Sequence, residues 1–229
     1  KSNNIYFAGM SRSPDYPVKD NHTVYSQQSD IIINKFNLDG SLIWATIMGS
    51  SGNEYIHSAA LDSSGNLWVS GDGFNAGNFP VTSNAFQRGY RGGTADGILV
   101  KFSSGGYLLY STLLGGDGYE GLTNICVDKY NNIWGVGRTN SSNFPVTANA
   151  QKKHRDEGYE TPIFKFTLDG TLIYSSLFGG TSKGALTLAD AITTNSNGDI
   201  IIAGYTNSST LPCTPDAFQR NIAGSWDSF

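Results

Sequence analysis

One segment of this chain is written four times, and that repetition constrains the fold more than any other feature. The copies are Asn4-Ile5-Tyr6-Phe7-Ala8-Gly9, Asn66-Leu67-Trp68-Val69-Ser70-Gly71, Asn132-Ile133-Trp134-Gly135-Val136-Gly137 and Asp199-Ile200-Ile201-Ile202-Ala203-Gly204. Their last glycines are 62, 66 and 67 residues apart. A proline follows each copy, at Pro17, Pro80, Pro145 and Pro212, preceded by Tyr16, Phe79, Phe144 and Leu211. An acid then opens an apolar run at Asp30, Asp96, Glu160 and Asp227. A turn and another apolar run come next, as in Asp39-Gly40-Ser41-Leu42-Ile43-Trp44, ending on glycine turns at Gly49, Gly115-Gly116 and Gly179-Gly180.

Each period therefore holds four strand candidates. In the second they are Ile56–Leu61, Leu67–Gly71, Ile98–Phe102 and Leu108–Leu113, each rich in β-branched, aromatic or Leu residues and bounded by turn formers. No stretch keeps a helical period. Four antiparallel strands per repeat predict an all-β fold, a β-propeller of four-stranded blades. The blades fall at roughly 1–49, 50–115, 116–180 and 181–229 of one domain, with the first and last incomplete. The expected whole is a larger ring, because an open blade face of ~400 Å² forfeits on the order of 10 kcal/mol at ~25 cal/mol per Å². The period exceeds the ~40–45 residues of a compact blade. The excess lies between the second and third strands, and there Thr82-Ser83-Asn84-Ala85-Phe86-Gln87 predicts one capped helical turn. Phe86 and Phe218 are expected to anchor that loop on its blade.

Composition narrows the function classes. The 229 residues carry a net charge of −4, which gives no electrostatic reason to expect nucleic acid as a partner. No apolar run approaches the ~20 residues of a membrane span, so direct membrane insertion is not expected. Residues 1–5 lack the apolar core of a signal peptide. Cys126 and Cys213 sit at unrelated positions of the repeat and are expected to be free thiols. No Gly-x-Ser-x-Gly, phosphate-loop, dinucleotide or zinc pattern is present.

These residues resemble the bacterial seven-bladed β-propeller repeat family, SBBP. Its consensus is similar to Tyr110-Ser111-Thr112-Leu113-Leu114-Gly115-Gly116, then Val127-Asp128 before Asn132-Ile133-Trp134, then Asn143-Phe144-Pro145-Val146-Thr147 and Ala217-Phe218-Gln219. The likeness runs through nearly the whole chain. It departs at Gln151-Lys152, where other copies have Phe-Gln, and at Asn195, where Asp62 and Asp128 stand elsewhere. The resemblance implies a propeller in a secreted or cell-surface bacterial protein, and it implies no enzyme.

Strand order divides the loops between two ends. The tight turns, such as Asp62-Ser63-Ser64-Gly65-Asn66, share one end; the long, variable loops share the other and make the better binding surface. Acids and lysines that recur in every repeat (Asp30, Asp96, Glu160 and Asp227; Lys35, Lys101 and Lys165) read as structural, the acids as acceptors for loop N–H groups. The aromatics Tyr6, Trp68 and Trp134, and Trp44, Tyr110 and Tyr174, read as packing between blades. Candidate binding residues are those that do not recur: Glu54, Tyr55, Arg88, Tyr90, Arg91, Asp117, Tyr119, Glu120, His154, Arg155 and Tyr159. Calcium is conceivable at Asp117-Gly118-Tyr119-Glu120 or Asp72-Gly73-Phe74-Asn75, although neither has EF-hand spacing; no other cofactor is expected. The histidines His22, His57 and His154 fall at different repeat positions. Asn21-His22-Thr23, Asn140-Ser141-Ser142 and Asn207-Ser208-Ser209 match the N-glycosylation pattern.

The leading expectation is a non-catalytic surface module for binding, adhesion or display. Its partner is a protein or glycan at the cell surface, or further blades and domains of the same polypeptide. The alternatives are a structural subunit of a large surface protein or filament, and a lyase or glycan-active enzyme whose site other blades complete.

Overall fold

The computed structural model describes residues 3–19, 26 and 28–229. It contains four antiparallel sheets and, among the described residues, no helix. The first sheet is β1 (Asn4–Ser11), β2 (Asp30–Asn37) and β3 (Leu42–Met48). The second is β4 (Asn53–Leu61), β5 (Leu67–Phe74), β6 (Ala95–Phe102) and β7 (Leu108–Leu114). The third is β8 (Glu120–Val127), β9 (Ile133–Thr139), β10 (Thr161–Phe166) and β11 (Leu172–Phe178). The fourth is β12 (Thr187–Thr194), β13 (Ile200–Thr206) and β14 (Asp227–Ser228). Neighbours in sequence are neighbours in each sheet, so every connection is a simple antiparallel return.

Turn chemistry fixes the short ends. Gly65, Asn131 and Gly198 occupy one turn position with φ of +77°, +67° and +95°, a region that glycine and asparagine tolerate. At the other tight turn, Gly106 and Gly170 are needed twice over. Each has positive φ, and a Cβ on either would run into an aromatic ring of the preceding sheet, Trp44 or Tyr110.

Apolar side chains join the sheets through alternate faces of their strands. Ile31, Ile33 and Trp44 of the first sheet meet Leu67, Val69, Ile98 and Val100 of the second. The other face of the second sheet, Trp68, Leu99 and Tyr110, meets Ile125, Phe164 and Phe166 of the third. Val136 of the third meets Ala189 and Ile192 of the fourth. A sheet covered on both sides has no polar face, and β6 is buried at every residue.

The recurring polar residues hold successive sheets together. Lys35 Nζ donates to the Ser104 carbonyl in the second sheet's hairpin (2.7 Å), and Lys101 Nζ to that of Leu168 in the third (3.1 Å). Lys35, Lys101 and Lys165 lie over the rings of Tyr6, Trp68 and Trp134 at 5.2, 5.0 and 4.8 Å. Asp62 takes the turn amides of Ser64 and Asn66 and pairs with Lys101 at 3.3 Å. Burial pushes its carboxyl up, but the Asn66 donors and the Lys101 charge prevail and hold it below the usual range.

Two local expectations are corrected. Residues 82–87 form no helical turn. Ala85 N–H donates to Thr82 C=O (3.1 Å) in a single tight turn, and the chain then extends so that Gln87 can hydrogen-bond β7. Phe86 packs on Phe166 of the next sheet, not on its own (6.0 Å between centroids), while Phe218 is fully exposed. The partner of Phe86 is thus a ring of the following sheet.

Candidate functional site

The first strands β4, β8 and β12 run side by side. Ile125 N–H donates to Ser58 Oγ (3.2 Å), Ile192 N–H to Asn124 Oδ1 (3.3 Å), and Thr123 Oγ1 to the Ala189 carbonyl (2.7 Å). Each of these strands carries one bulge at the same place, at His57, Thr123 and Asp190. A bulge leaves one residue outside the ladder and re-aims its side chain.

At two of the three bulges that residue is ionisable. His57 Nε2 is 3.0 Å from Asp72 Oδ1, and Tyr119 Oη donates to Asp72 Oδ2 at 2.8 Å. The Arg138 guanidinium donates to Asp190 at 2.9 Å across the third and fourth sheets. Asp72 is buried, whereas the His57, Arg138 and Asp190 side chains are 38%, 36% and 51% exposed. Burial, then the Asp72 charge and hydrogen bond, push the Tyr119 phenol far above its ordinary range, so it remains a donor. Gly121 makes the approach possible, because a Cβ there would meet the phenol oxygen at 2.7 Å. An aromatic row continues the surface: Tyr55 on Phe74 (5.6 Å), Phe74 on Tyr119 (5.9 Å) and Tyr119 on Tyr159 (6.0 Å).

Tyr55, Tyr119 and Tyr159 of the sequence-derived set are thus brought together. Arg88 and His154 are exposed on separate loops and make no hydrogen bond to this group. Tyr90 donates to Gly93 C=O (3.1 Å), Arg91 reaches Gly115 C=O (3.5 Å), and Arg155 donates to Gly158 C=O (3.0 Å). Asp117 accepts from Ser142 N–H and Oγ, at 2.9 and 2.8 Å.

Glu54 and Glu120 are corrected as contact residues, since both have no exposed surface. Glu120 accepts from Gly116 N–H (2.7 Å), Thr139 Oγ1 and Ser141 Oγ (each 2.5 Å), and Glu54 from Ser50 N–H (3.0 Å) and Ser50 Oγ. Each faces the recurring acid of the preceding sheet. A Cβ on Gly115 would stand 2.5 Å from Asp96 Oδ1 and 2.7 Å from Glu120 Oε2, and Gly49 is likewise wedged between Asp30 and Glu54. Burial raises Glu54 to about 7, with the Asp30 charge adding to it, and raises Asp96 to about 6, with Glu120 adding to it. The recurring acids accept loop amides: Ser26 for Asp30, Arg91 for Asp96, Asp156 for Glu160 and Ala223 for Asp227.

Among the described residues, no group of three or more His, Cys, Asp or Glu is placed to hold a metal ion. His22 and the Asn21-His22-Thr23 pattern lie outside the described residues. Cys126 and Cys213 are free thiols, half-buried and exposed.

Sequence reasoning passed over Arg138 and Asp190, noted His57 only as an isolated histidine, and considered Asp72 only for calcium. The available clue was that Asp72, Arg138 and Tyr205 differ in charge directly after the repeat glycine, where packing does not dictate the residue.

No family model and no curated protein matches the chain. Among solved structures it is similar to a protein of unknown function from Bacteroides caccae, with 14% identity and a TM-score of 0.38. The match covers 76% of this chain and 48% of that one, so this chain spans about half the length of that structure.

Proposed function

We propose that the chain is an arc of a β-propeller from a secreted or surface protein, and that it binds a polar ligand, a glycan or peptide, without catalysis. The four sheets are its blades, and further blades cover the outer faces, where Ile5, Phe7, Ile201 and Trp226 stand exposed. The observation that carries the binding reading is the contrast between recurring and non-recurring polar residues. Recurring acids and lysines are consumed by loop amides, turn carbonyls and rings. The non-recurring His57, Arg138 and Asp190 remain exposed beside a tyrosine row, a mixture suited to polar contacts. Family resemblance supports the surface location.

A glycan and peptide array probed with the whole chain tests this. A ligand is expected to be retained, and Arg138→Ala with His57→Ala to lose at least ten-fold in affinity. Retention unchanged in that double variant would discard the site. The His57–Asp72 pair also suits a general base oriented by a carboxylate, which favours an enzyme as the second reading. Cleavage of the retained ligand, abolished by His57→Gln, would select it.

A further inference from the structure

Glu120 sits between the two residues that bring the third sheet to Asp72. Tyr119 precedes it and donates its phenol to Asp72 Oδ2 at 2.8 Å. Gly121 follows it and leaves that phenol room. Neighbours on an extended chain point to opposite faces. Glu120 therefore turns the other way, into the junction with the second sheet, where it meets Asp96. Backbone contacts tie the same stretches together. Ala95, just before Asp96, bridges Tyr119, and Thr94 N–H donates to Gly118 C=O at 2.7 Å. One short segment thus carries an acid pair on one side and half of the candidate ligand site on the other.

The two acids are anchored in different sheets. Glu120 accepts from Gly116 N–H, Thr139 Oγ1 and Ser141 Oγ, all in the third. Asp96 Oδ2 accepts from Gln87 Nε2 and Arg91 N–H, on the long loop of the second. Asp96 Oδ1 is fully buried and has no hydrogen-bond partner among the described residues. It and Glu120 Oε2 both abut Gly115, within about 5 Å of each other, a range in which two carboxylates resist ionising together. With one proton the pair can close an O–H···O bond from sheet to sheet. With none, two like charges face each other across the junction. Arg91 and Tyr90 face the pair from the second sheet's loop, and Asp117 from the Glu120 side, so only the guanidinium relieves that repulsion. The other two junctions lack one part of this arrangement. Glu54 faces Asp30, but Asn53 stands in the place of Tyr119; later, Leu186 and Thr187 replace Tyr119 and Glu120.

We propose that the Asp96–Glu120 pair is a proton-operated clasp on the ligand site. Holding a proton, it draws the third sheet onto the second and seats Tyr119 on Asp72. Losing it, the clasp parts His57 and Asp72 of one sheet from Tyr119 and Arg138 of the other. As regulation of that site the clasp rests on the binding reading above, yet its action on Tyr119 needs no ligand to be seen. Burial, with the Glu120 charge adding to it, raises Asp96 to about 6. The proton is therefore held in mildly acidic solution and lost as pH rises through that value, so the clasp opens toward neutral pH. The Tyr119 phenol, raised far above its ordinary range, does not ionise over this interval.

The test follows the ring-carbon NMR signals of labelled tyrosine in the whole chain as pH is raised from mildly acidic to slightly alkaline. His57→Gln is used as the background, because imidazole titration would otherwise reach Tyr119 through Asp72. Tyr90→Phe and Tyr119→Phe assign the two signals. Tyr90, which faces the pair, and Tyr119, on its far side, are expected to shift together with a midpoint near pH 6. Asp96→Asn, whose amide can donate to Glu120 at every pH, is expected to abolish the Tyr119 shift; Glu120→Gln supplies the same comparison should Asp96→Asn not fold. A shift at Tyr90 without one at Tyr119 would overturn the proposal. So would a Tyr119 shift that survives these variants, or no shift at either ring. A ligand retained through Arg138 in the absence of any clasp leaves the binding reading standing, and a working clasp with no ligand retained discards that reading alone.

Discussion

The junction between the second and third sheets and the one between the third and fourth solve the same packing problem with different charges. Both set a buried acid at the start of a third strand, Asp96 or Glu160, against the first strand of the next sheet. At the earlier junction that strand contributes Glu120 and the loop contributes neutral Gln87 (2.7 Å to Asp96). At the later one the strand contributes Thr187, and the loop contributes Lys152 (2.8 Å to Glu160 and 2.7 Å to Asp156). Two acids go with an amide, and one buried acid goes with an ammonium. In both, a loop side chain that donates hydrogen bonds faces the buried acid and offsets part of the cost of desolvating its charge. At the earlier junction burial also raises Asp96 to about 6, so a proton adds to that offset below about pH 6. The Arg91 guanidinium and Tyr90 also face the Asp96–Glu120 pair, and Asp117 adds its charge on the Glu120 side.

The sharpest way to break the comparison is a methyl group. Gly115→Ala puts a Cβ between two carboxylates and is expected to cost about 3 kcal/mol or more. Gly179→Ala meets only the Glu160 side chain, at 3.0 Å and beyond, and is expected to cost under about 1 kcal/mol. Urea titration of both variants checks this, and equal losses would mean that the two junctions do not differ as described.

Next in size is Lys152→Met, which strands Glu160 without its ammonium. A loss of about 2–3 kcal/mol is expected, with a partial return when Glu160→Gln is added. The double-mutant cycle measures the coupling.

The pH dependence should be comparable. Glu54 and Asp96 hold protons in the fold, at about 7 and about 6, that the unfolded chain releases near its ordinary carboxyl range. Their stabilisation is therefore full below about pH 4 and is lost as pH rises through 6 to 7, on the order of 2 kcal/mol. Melting temperatures read from pH 4 to 8 should fall over this interval, and Glu54→Gln with Glu120→Gln should flatten the fall. A curve of wild-type slope in that double variant would exclude these pairs as its source.

The smallest contrast separates the two loop phenylalanines. Phe86→Ala loses its contact with Phe166 and should cost about 1 kcal/mol. Phe218→Ala, on a fully exposed ring, should be neutral within about 0.5 kcal/mol.

Most of what is local to one repeat was legible in the sequence, the conformation of residues 82–87 excepted. Asp62-Ser63-Ser64-Gly65-Asn66 announces its turn, and Ile98-Leu99-Val100 its strand, because turn chemistry and strand period act over a few residues. The individual polar contacts between sheets were not legible, since they join residues far apart in the sequence, 47 for Tyr119 and Asp72 and 69 for Lys35 and Ser104. Nothing in the order of residues pairs Asp96 with Glu120 across Gly115, or Tyr119 with Asp72. The bulges add a second obstacle. One extra residue reverses which side chains face outward, so His57 and Asp190 cannot be placed without the register. Sequence also fails to separate β6 from β13. Both read as apolar runs, yet β6 is wholly buried while Ile201 of β13 is 51% exposed.

The lysine contacts between sheets have a direction. Lys35 and Trp44 of one sheet reach the Ser104 carbonyl of the next, and Lys101 and Tyr110 reach the carbonyls of Leu168 and Gly170. The second sheet is thus an acceptor on one side and a donor on the other, the head-to-tail arrangement that generates rings or open filaments. Gain or loss of a whole copy would keep such lysine contacts in register, because each needs only a carbonyl in the hairpin of the next sheet. The charge partners of the buried acids are what each new junction would still have to match, as Gln87 and Glu120 do for Asp96 and Lys152 does for Glu160.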